Sequence, residues 1–261
     1  EAKTMPKVCG KPWSVEIVGS ASQLPPVKET PVKTGKEAKG CRIAFDLGKS
    51  DVKTVAVKDG EVLDSKETEW DVTNPDPSYH YNLIVKAMKD TAAKLPSAPI
   101  AIGGSATGTV SALSEATWCD CFPNVPPDVY QREVVPIFNN IAKREFGGVP
   151  IKVINDGEVT AVAGSHMIGE GSLFGISLGS SEGSGYVDAS GALTGWINEN
   201  AYCPFDLNPE TCGNPWSPHR GDAAMYLGQR AATRLAALGG VDLPPDMMPD
   251  HENMNQTSHA P

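Results

Sequence analysis

An α/β fold is predicted for this chain, because short apolar runs alternate with helical periods between residues 41 and 238. Three observations carry that expectation. Apolar runs at 41–47, 149–154 and 173–178 are strand-sized and end in Asp, Asn-Asp or Gly. Leu83, Ile84, Ala87, Met88, Ala92 and Leu95 follow three-and-four spacing up to Pro96, which stops a helix over 79–95. Tyr130, Val134, Val135, Phe138 and Ile141 do the same within 127–146, closed by Gly147-Gly148.

The elements follow in order. Residues 1–40 hold five Pro and only one strand-capable stretch, so they are expected to form an irregular extension. After the run at 41–47, an alternating segment at 52–57 and its return at 61–70 flank Asp59-Gly60, a strong hairpin signal. Asn74-Pro-Asp-Pro-Ser78 supplies a turn and a helix cap. A strand over 99–102 is expected to empty into a flexible loop, Gly103-Gly-Ser-Ala-Thr-Gly108, and another strand is expected over 116–122. A helix over 158–168 follows the Asn155-Asp156 strand end. The run at 173–178 then leads to a hairpin of 185–187 with 192–196, a long loop over 198–217 and a helix over 221–238.

Composition narrows the functional classes. At 261 residues and 40% apolar content the chain can bury a large core in one domain or two lobes. The net charge is −10, and the seven Lys and four Glu of residues 1–40 leave −13 on the remainder. An acidic body disfavours nucleic acid. There is no run of ~18 apolar residues and no apolar secretory segment at the start, so no membrane contact and a cytoplasmic location are expected. Six scattered cysteines read as reduced structural thiols. Cys203, Cys212 and His219 lack zinc-site spacing, so no zinc site is expected.

The chemistry is carried by three motifs. Cys41-Arg-Ile-Ala-Phe-Asp-Leu-Gly-Lys-Ser50 is a strand ending in Asp46 and a Gly48 turn. Val149-Pro-Ile-Lys-Val-Ile-Asn-Asp-Gly-Glu158 delivers Asn155 and Asp156 at a strand end. Gly175-Ile-Ser-Leu-Gly-Ser-Ser-Glu-Gly-Ser-Gly185 runs into a turn rich in glycine and hydroxyls. Backbone N–H groups and hydroxyls in such turns can cradle phosphate without a Walker-type loop. A carboxylate beside a phosphate cradle suggests phosphoryl transfer to an alcohol.

In this order the motifs resemble the sugar kinases of the actin, Hsp70 and hexokinase superfamily, in particular the ROK family of repressors and kinases, and within it ROK-like proteins without an assigned substrate. The likeness covers roughly residues 41–240. It implies a ribonuclease-H-like two-lobe fold, with a first lobe over 41–154 and a second over 155–261 that stops short of the family's adenosine segment. It also implies ATP and Mg²⁺ as cofactors, a small sugar as substrate, and a homodimer as one arrangement. The helix-turn-helix module of ROK repressors has no counterpart in residues 1–40, which show no helical period.

Residue by residue, the resemblance makes Asp156 the catalytic base and Asn155 a partner of a neighbouring sugar hydroxyl. Asp46 would hold Mg²⁺ through water, and Gly48 and Ser50 would line the first phosphate loop, where Lys49 replaces the usual second glycine. Gly179, Ser180, Ser181 and Gly183 would form the second phosphate loop. Glu182 beside it would point away or assist the metal. Glu199 would accept hydrogen bonds from vicinal hydroxyls, with Tyr202 at the position of the family's histidine, and Gly104 and Ser105 would approach substrate through the glycine loop. As plain sequence, Asp156 could equally be a helix cap, Asp46 a turn residue, Gly179–Ser181 an ordinary turn and Glu199 a solvated carboxylate. Trp118, Trp196 and Trp216 are expected in the core, with sugar stacking as the other reading. The five histidines show no spacing that suggests catalysis or metal binding. The alternative function is a non-catalytic carbohydrate-binding or regulatory protein that kept the sugar site and lost the nucleotide site.

Overall fold

The computed structural model describes residues 14, 16–26, 31–32, 39–179, 181–214 and 219–242. The chain divides into two compact units, one of residues 1–29 and 35–156 and the other of residues 30–34 and 157–261.

The first unit is built on a five-stranded mixed sheet. Its strands are β1 (Cys41–Leu47), β2 (Asp51–Lys58), β3 (Glu61–Glu69), β4 (Ala101–Ala106) and β7 (Ile151–Asn155), in the order β3-β2-β1-β4-β7. β1 pairs antiparallel with β2 and parallel with β4, and β4 pairs parallel with β7. The β2–β3 turn is made by Asp59 and Gly60, both at positive φ, 53° and 89°. That is the backbone of the two-residue hairpin which Asp-Gly favours.

Alternation along β1 separates two faces: Cys41, Ile43, Phe45 and Leu47 are buried, while Arg42, Ala44 and Asp46 are half-buried. Helix α1 (Pro77–Ala92) covers the buried face with Ile84, Ala87, Met88 and Thr91. It starts where Asp76 accepts the Ser78 backbone N–H at 2.9 Å, and Pro77 occupies the first turn, where no N–H is needed. Phe122, Phe138 and Ile141 complete this core, and Phe45 and Phe138 pack with ring centroids 5.5 Å apart. Each such side chain contributes about 1.5–3 kcal/mol on burial.

Three expectations in this unit are corrected. The helix over 127–146 is interrupted: a single turn, α2 (Pro127–Val129), widens into a π-turn over Tyr130–Val134, and a new helix, α3, runs over Ile137–Glu145. Pro136 has no N–H to continue the ladder. The strand expected at 99–102 instead spans Ala101–Ala106, so Gly103, Gly104 and Ser105 are strand residues rather than a loop. The strand expected over 116–122 is only β6 (Ala116–Trp118), paired with β5 (Thr109–Val110).

In the second unit, α4 (Asp156–Ile168) packs on the antiparallel pair β8 (Leu173–Leu178) and β9 (Glu182–Val187). Three glycines permit the approach. A Cβ on Gly157 would lie 2.2 Å from Ser184 N, one on Gly175 2.6 Å from Ala161 N, and one on Gly185 2.5 Å from Glu158 Cα. Among the described residues β9 is the only strand neighbour of β8, whose Phe174, Ile176 and Leu178 are 48%, 48% and 61% exposed. The returning strand of the expected hairpin at 192–196 reduces to Leu193, which bridges Val187 and Val32. The helix expected over 221–238 is a 3₁₀ turn, Ala223–Met225, followed by α5 (Gln229–Leu238), with Gly228 at φ 93° between them.

Candidate active site

The parallel strands β1, β4 and β7 end at the same edge of the first sheet, where ligands collect in open α/β folds. Register places Asp46 beside Ser105, and Leu47, Ala106 and Asn155 side by side. Asp46 and Ser105 lie on the face away from α1, and the Ser105 hydroxyl donates to Asp46 Oδ1 at 2.5 Å. Asp46 Oδ2 has no hydrogen-bond partner among the described residues. Gly104 faces the opposite way: a Cβ there would lie 2.4–2.7 Å from three atoms of the Phe45 ring. The expectation that Gly104 approaches substrate in a flexible loop is therefore corrected, since it is a core-facing strand residue and Ser105 is the side chain at the edge.

Asn155 closes β7, and its Nδ2 donates to Gly108 O at 2.8 Å. Gly108 needs its φ of 86° and its missing side chain, because a Cβ would meet Trp118 O at 2.3 Å. Asp156 follows as the first residue of α4. Asp46, Ser105, Asn155 and Asp156 thus gather at one sheet edge.

The turn between β1 and β2 is tied to itself. Gly48 N donates to Asp51 O at 3.0 Å, and Gly48 O accepts from Trp70 Nε1 at 2.9 Å. The Ser50 hydroxyl donates to Asp51 Oδ2 at 2.7 Å, and Lys49 Nζ lies 3.3 Å from Asp120 Oδ2. Lys53 pairs with Asp51 at 2.5 Å. Burial opposes ionisation of Asp51, but the Lys53 and Ser50 hydrogen bonds outweigh it and hold its carboxyl below the usual aspartate range. Lys53 is therefore the ion-pair partner of the Asp51 carboxylate at the start of β2.

In the second unit, Gly179 N donates to Ser181 O at 2.9 Å, and Gly179 O accepts from Gln229 N at 2.8 Å, so the turn sits on the start of α5. Ser180 lies outside the described residues. Gly183 is within β9, in register with Ser177. Glu182 is 8% exposed, its Oε2 has no partner among the described residues, and burial pushes its carboxyl above the usual glutamate range.

Glu199 caps the 3₁₀ turn Asn200–Tyr202, where Tyr202 N donates to Glu199 O at 3.2 Å. Trp196 and Trp118 are 49% and 48% exposed, contrary to the expected core positions, and Trp216 lies outside the described residues. The exposure of Trp196 had no sequence signal, because indoles are on average well buried. Among the described residues no group of three or more His, Cys, Asp or Glu is arranged to hold a metal ion. No helix among them is long and apolar enough to cross a membrane.

No family model and no curated protein matches this sequence. Solved structures do match. A ROK hexokinase from Thermus thermophilus superposes with TM-score 0.58 at 19% identity, over 77% of this chain and 64% of that one. A ROK family glucokinase from Streptomyces griseus, in complex with glucose and AMPPNP, gives 0.58 at 20% identity, over 76% and 61%. A ROK family transcriptional regulator, a homologue of the E. coli MLC protein, gives 0.61 at 18% identity, over 78% and 51%. The chain thus spans less than two thirds of each of these three structures. The fold is ROK-like, of the actin-like ATPase type, and it hosts sugar kinases and transcriptional regulators alike.

Proposed function

We propose that this protein binds a hexose or related sugar and phosphorylates one of its hydroxyls with ATP and Mg²⁺. The observation that carries the reading is the set of Asp46, Ser105, Asn155 and Asp156 at the carboxyl ends of three adjacent parallel strands. Two solved neighbours are described as a hexokinase and as a glucokinase holding glucose and AMPPNP.

Asp156 would take the proton of the attacking hydroxyl, whose oxygen would form the new O–P bond as the bridging P–O bond of ATP breaks and ADP leaves. Asn155, its amide held by Gly108, orients a neighbouring hydroxyl. When bound, ATP supplies the phosphoryl group and Mg²⁺ offsets its charge. A half-buried Asp46, fixed through Oδ1 and open at Oδ2, is a hard oxygen donor that fits a metal-bound water. In the first turn, where Asp51 O holds the Gly48 N–H, the other backbone N–H groups of residues 48–51 are the candidate phosphate donors.

A second reading, sugar binding without catalysis, is favoured by the first turn. The Ser50 hydroxyl and the Lys49 ammonium are engaged by Asp51 and Asp120. Measuring ADP release with ATP and Mg²⁺ across a panel of hexoses and amino sugars, beside Asp156→Asn, separates the two. Sugar-dependent release lost in the variant supports the kinase. Sugar binding without release selects the second reading.

A further inference from the structure

Trp196 is exposed by construction. Leu193 before it is bridged to Val187 and Val32, Thr194 is buried, and Gly195 turns the chain at φ 79°. Beyond it, Asn198 O accepts from the Ser184 hydroxyl at 2.7 Å, and Asn200 Nδ2 donates to the same Ser184 oxygen at 2.9 Å. Ser184 is itself buried, so both flanks of Trp196 are pinned to β9 or its neighbours. The indole lies flat on Tyr186, with ring centroids 5.7 Å apart and planes within 7°. One face is thereby backed by a second ring, and about half of the residue, 49%, remains in contact with solvent. Trp118, the other half-exposed indole noted above, donates its Nε1 to Asp120 at 3.2 Å.

The segment that follows is polar and ordered: Asn198, Glu199, Asn200 and then Tyr202, which is 43% exposed. A half-exposed indole face, followed in the chain by amide, carboxylate and phenol side chains, suits a molecule that is apolar on one side and rich in hydroxyls at its edge. A pyranose ring has that form, because its axial C–H bonds make a flat apolar face while its equatorial hydroxyls point outward.

We propose that Trp196, backed by Tyr186, is a stacking platform for a pyranose ring on the second unit and selects closed pyranoses over open-chain polyols. The inference rests on the sugar-binding reading above and adds the residue that recognises ring shape. Removing an aromatic contact of this kind lowers affinity by about three- to tenfold.

Titration calorimetry of the whole protein with glucose, mannose, galactose and N-acetylated hexosamines, and with the alditol of the tightest binder, tests it. Trp196→Ala should weaken pyranose binding by that factor, Trp196→Phe by less, and Trp118→Ala not at all. The alditol should bind more weakly than its pyranose, and Trp196→Ala should not weaken it further. Unchanged pyranose affinity in Trp196→Ala, or equal affinity for ring and alditol, overturns the platform while leaving sugar binding intact. Absence of binding by the wild-type protein to every sugar overturns the sugar reading and the platform together. Should Trp196→Ala fail to fold, Trp196→Phe and the alditol comparison decide.

Discussion

Gly157→Ala sets two effects of opposite sign against each other at the start of α4. In a helix, Ala is favoured over Gly by about 0.5–1 kcal/mol, so propensity alone makes the variant more stable. The structure reverses the sign. The new methyl would lie 2.2 Å from Ser184 N, 2.4 Å from Ser184 O and 2.7 Å from Ser184 C, all backbone atoms that no rotamer change can move aside. Relief requires α4 to shift off β9, and overpacking of this kind costs about 1–3 kcal/mol, occasionally more. The expected outcome is a net loss of about 2 kcal/mol, a fall in Tm of roughly 4–8 °C for a chain of this size. Gly164→Ala in the same helix is the control, because its methyl would meet only the end of the Leu173 side chain, Cδ2 at 3.2 Å and Cδ1 at 3.7 Å. It should be neutral or stabilising. Paired urea and thermal unfolding of the two variants measures both. A Gly157→Ala protein as stable as wild type would refute the close seating of α4 on β9.

Asp156→Asn should keep the fold and lower sugar-dependent turnover by roughly 10²–10⁴-fold, measured as initial rates at saturating sugar. Near-normal turnover would remove Asp156 from the role of base. Asp76→Ala should cost about 1 kcal/mol in urea unfolding, since the Ser78 N–H loses its cap. His80 is fully buried against Trp70 and Phe122, and burial pushes its imidazole below the usual histidine range despite the hydrogen bond to Asn74 O. A folded value below the unfolded one means that its stabilising share is complete above about pH 6.5 and is lost as pH falls through the folded value. Unfolding midpoints between pH 5 and 7.5 should therefore fall less steeply in His80→Phe than in wild type, and equal slopes would contradict this.

Much of the site's framework was legible because apolar runs that end in Asp or Asn-Asp can be read directly as strands delivering polar groups to a sheet edge. Asp46 is the last residue but one of β1 and Asn155 the last of β7, and α4 starts at Asp156. Gly103 and Gly104 misled because glycine is rare inside strands. What keeps them in one is a neighbour 59 residues away in sequence, Phe45, whose ring occupies the space that a side chain on Gly104 would need. The break at Pro136 was readable from the missing N–H, yet the helical period on both sides of it hid the break. Gly228 hid likewise inside an alanine-rich period, and only its positive φ separates the 3₁₀ turn from α5. Nothing in the sequence announces that Ser50 and Lys49 pair with Asp51 and Asp120, because partner choice within a turn depends on side-chain direction.

The outer side of β8 bears on how the molecule behaves in crowded solution. Leu173-Phe-Gly-Ile-Ser-Leu178 contains no charge and no proline, the two devices that usually keep an open strand from templating another chain. What restrains it is long-range repulsion from the net charge of −10. That protection reaches only as far as the ionic atmosphere allows, about 10 Å at 0.1 M salt and 3 Å at 1 M. Concentrated salt would leave this six-residue segment more prone to pair with another chain, and a single lysine in place of Ile176 would restore locally what screening removes.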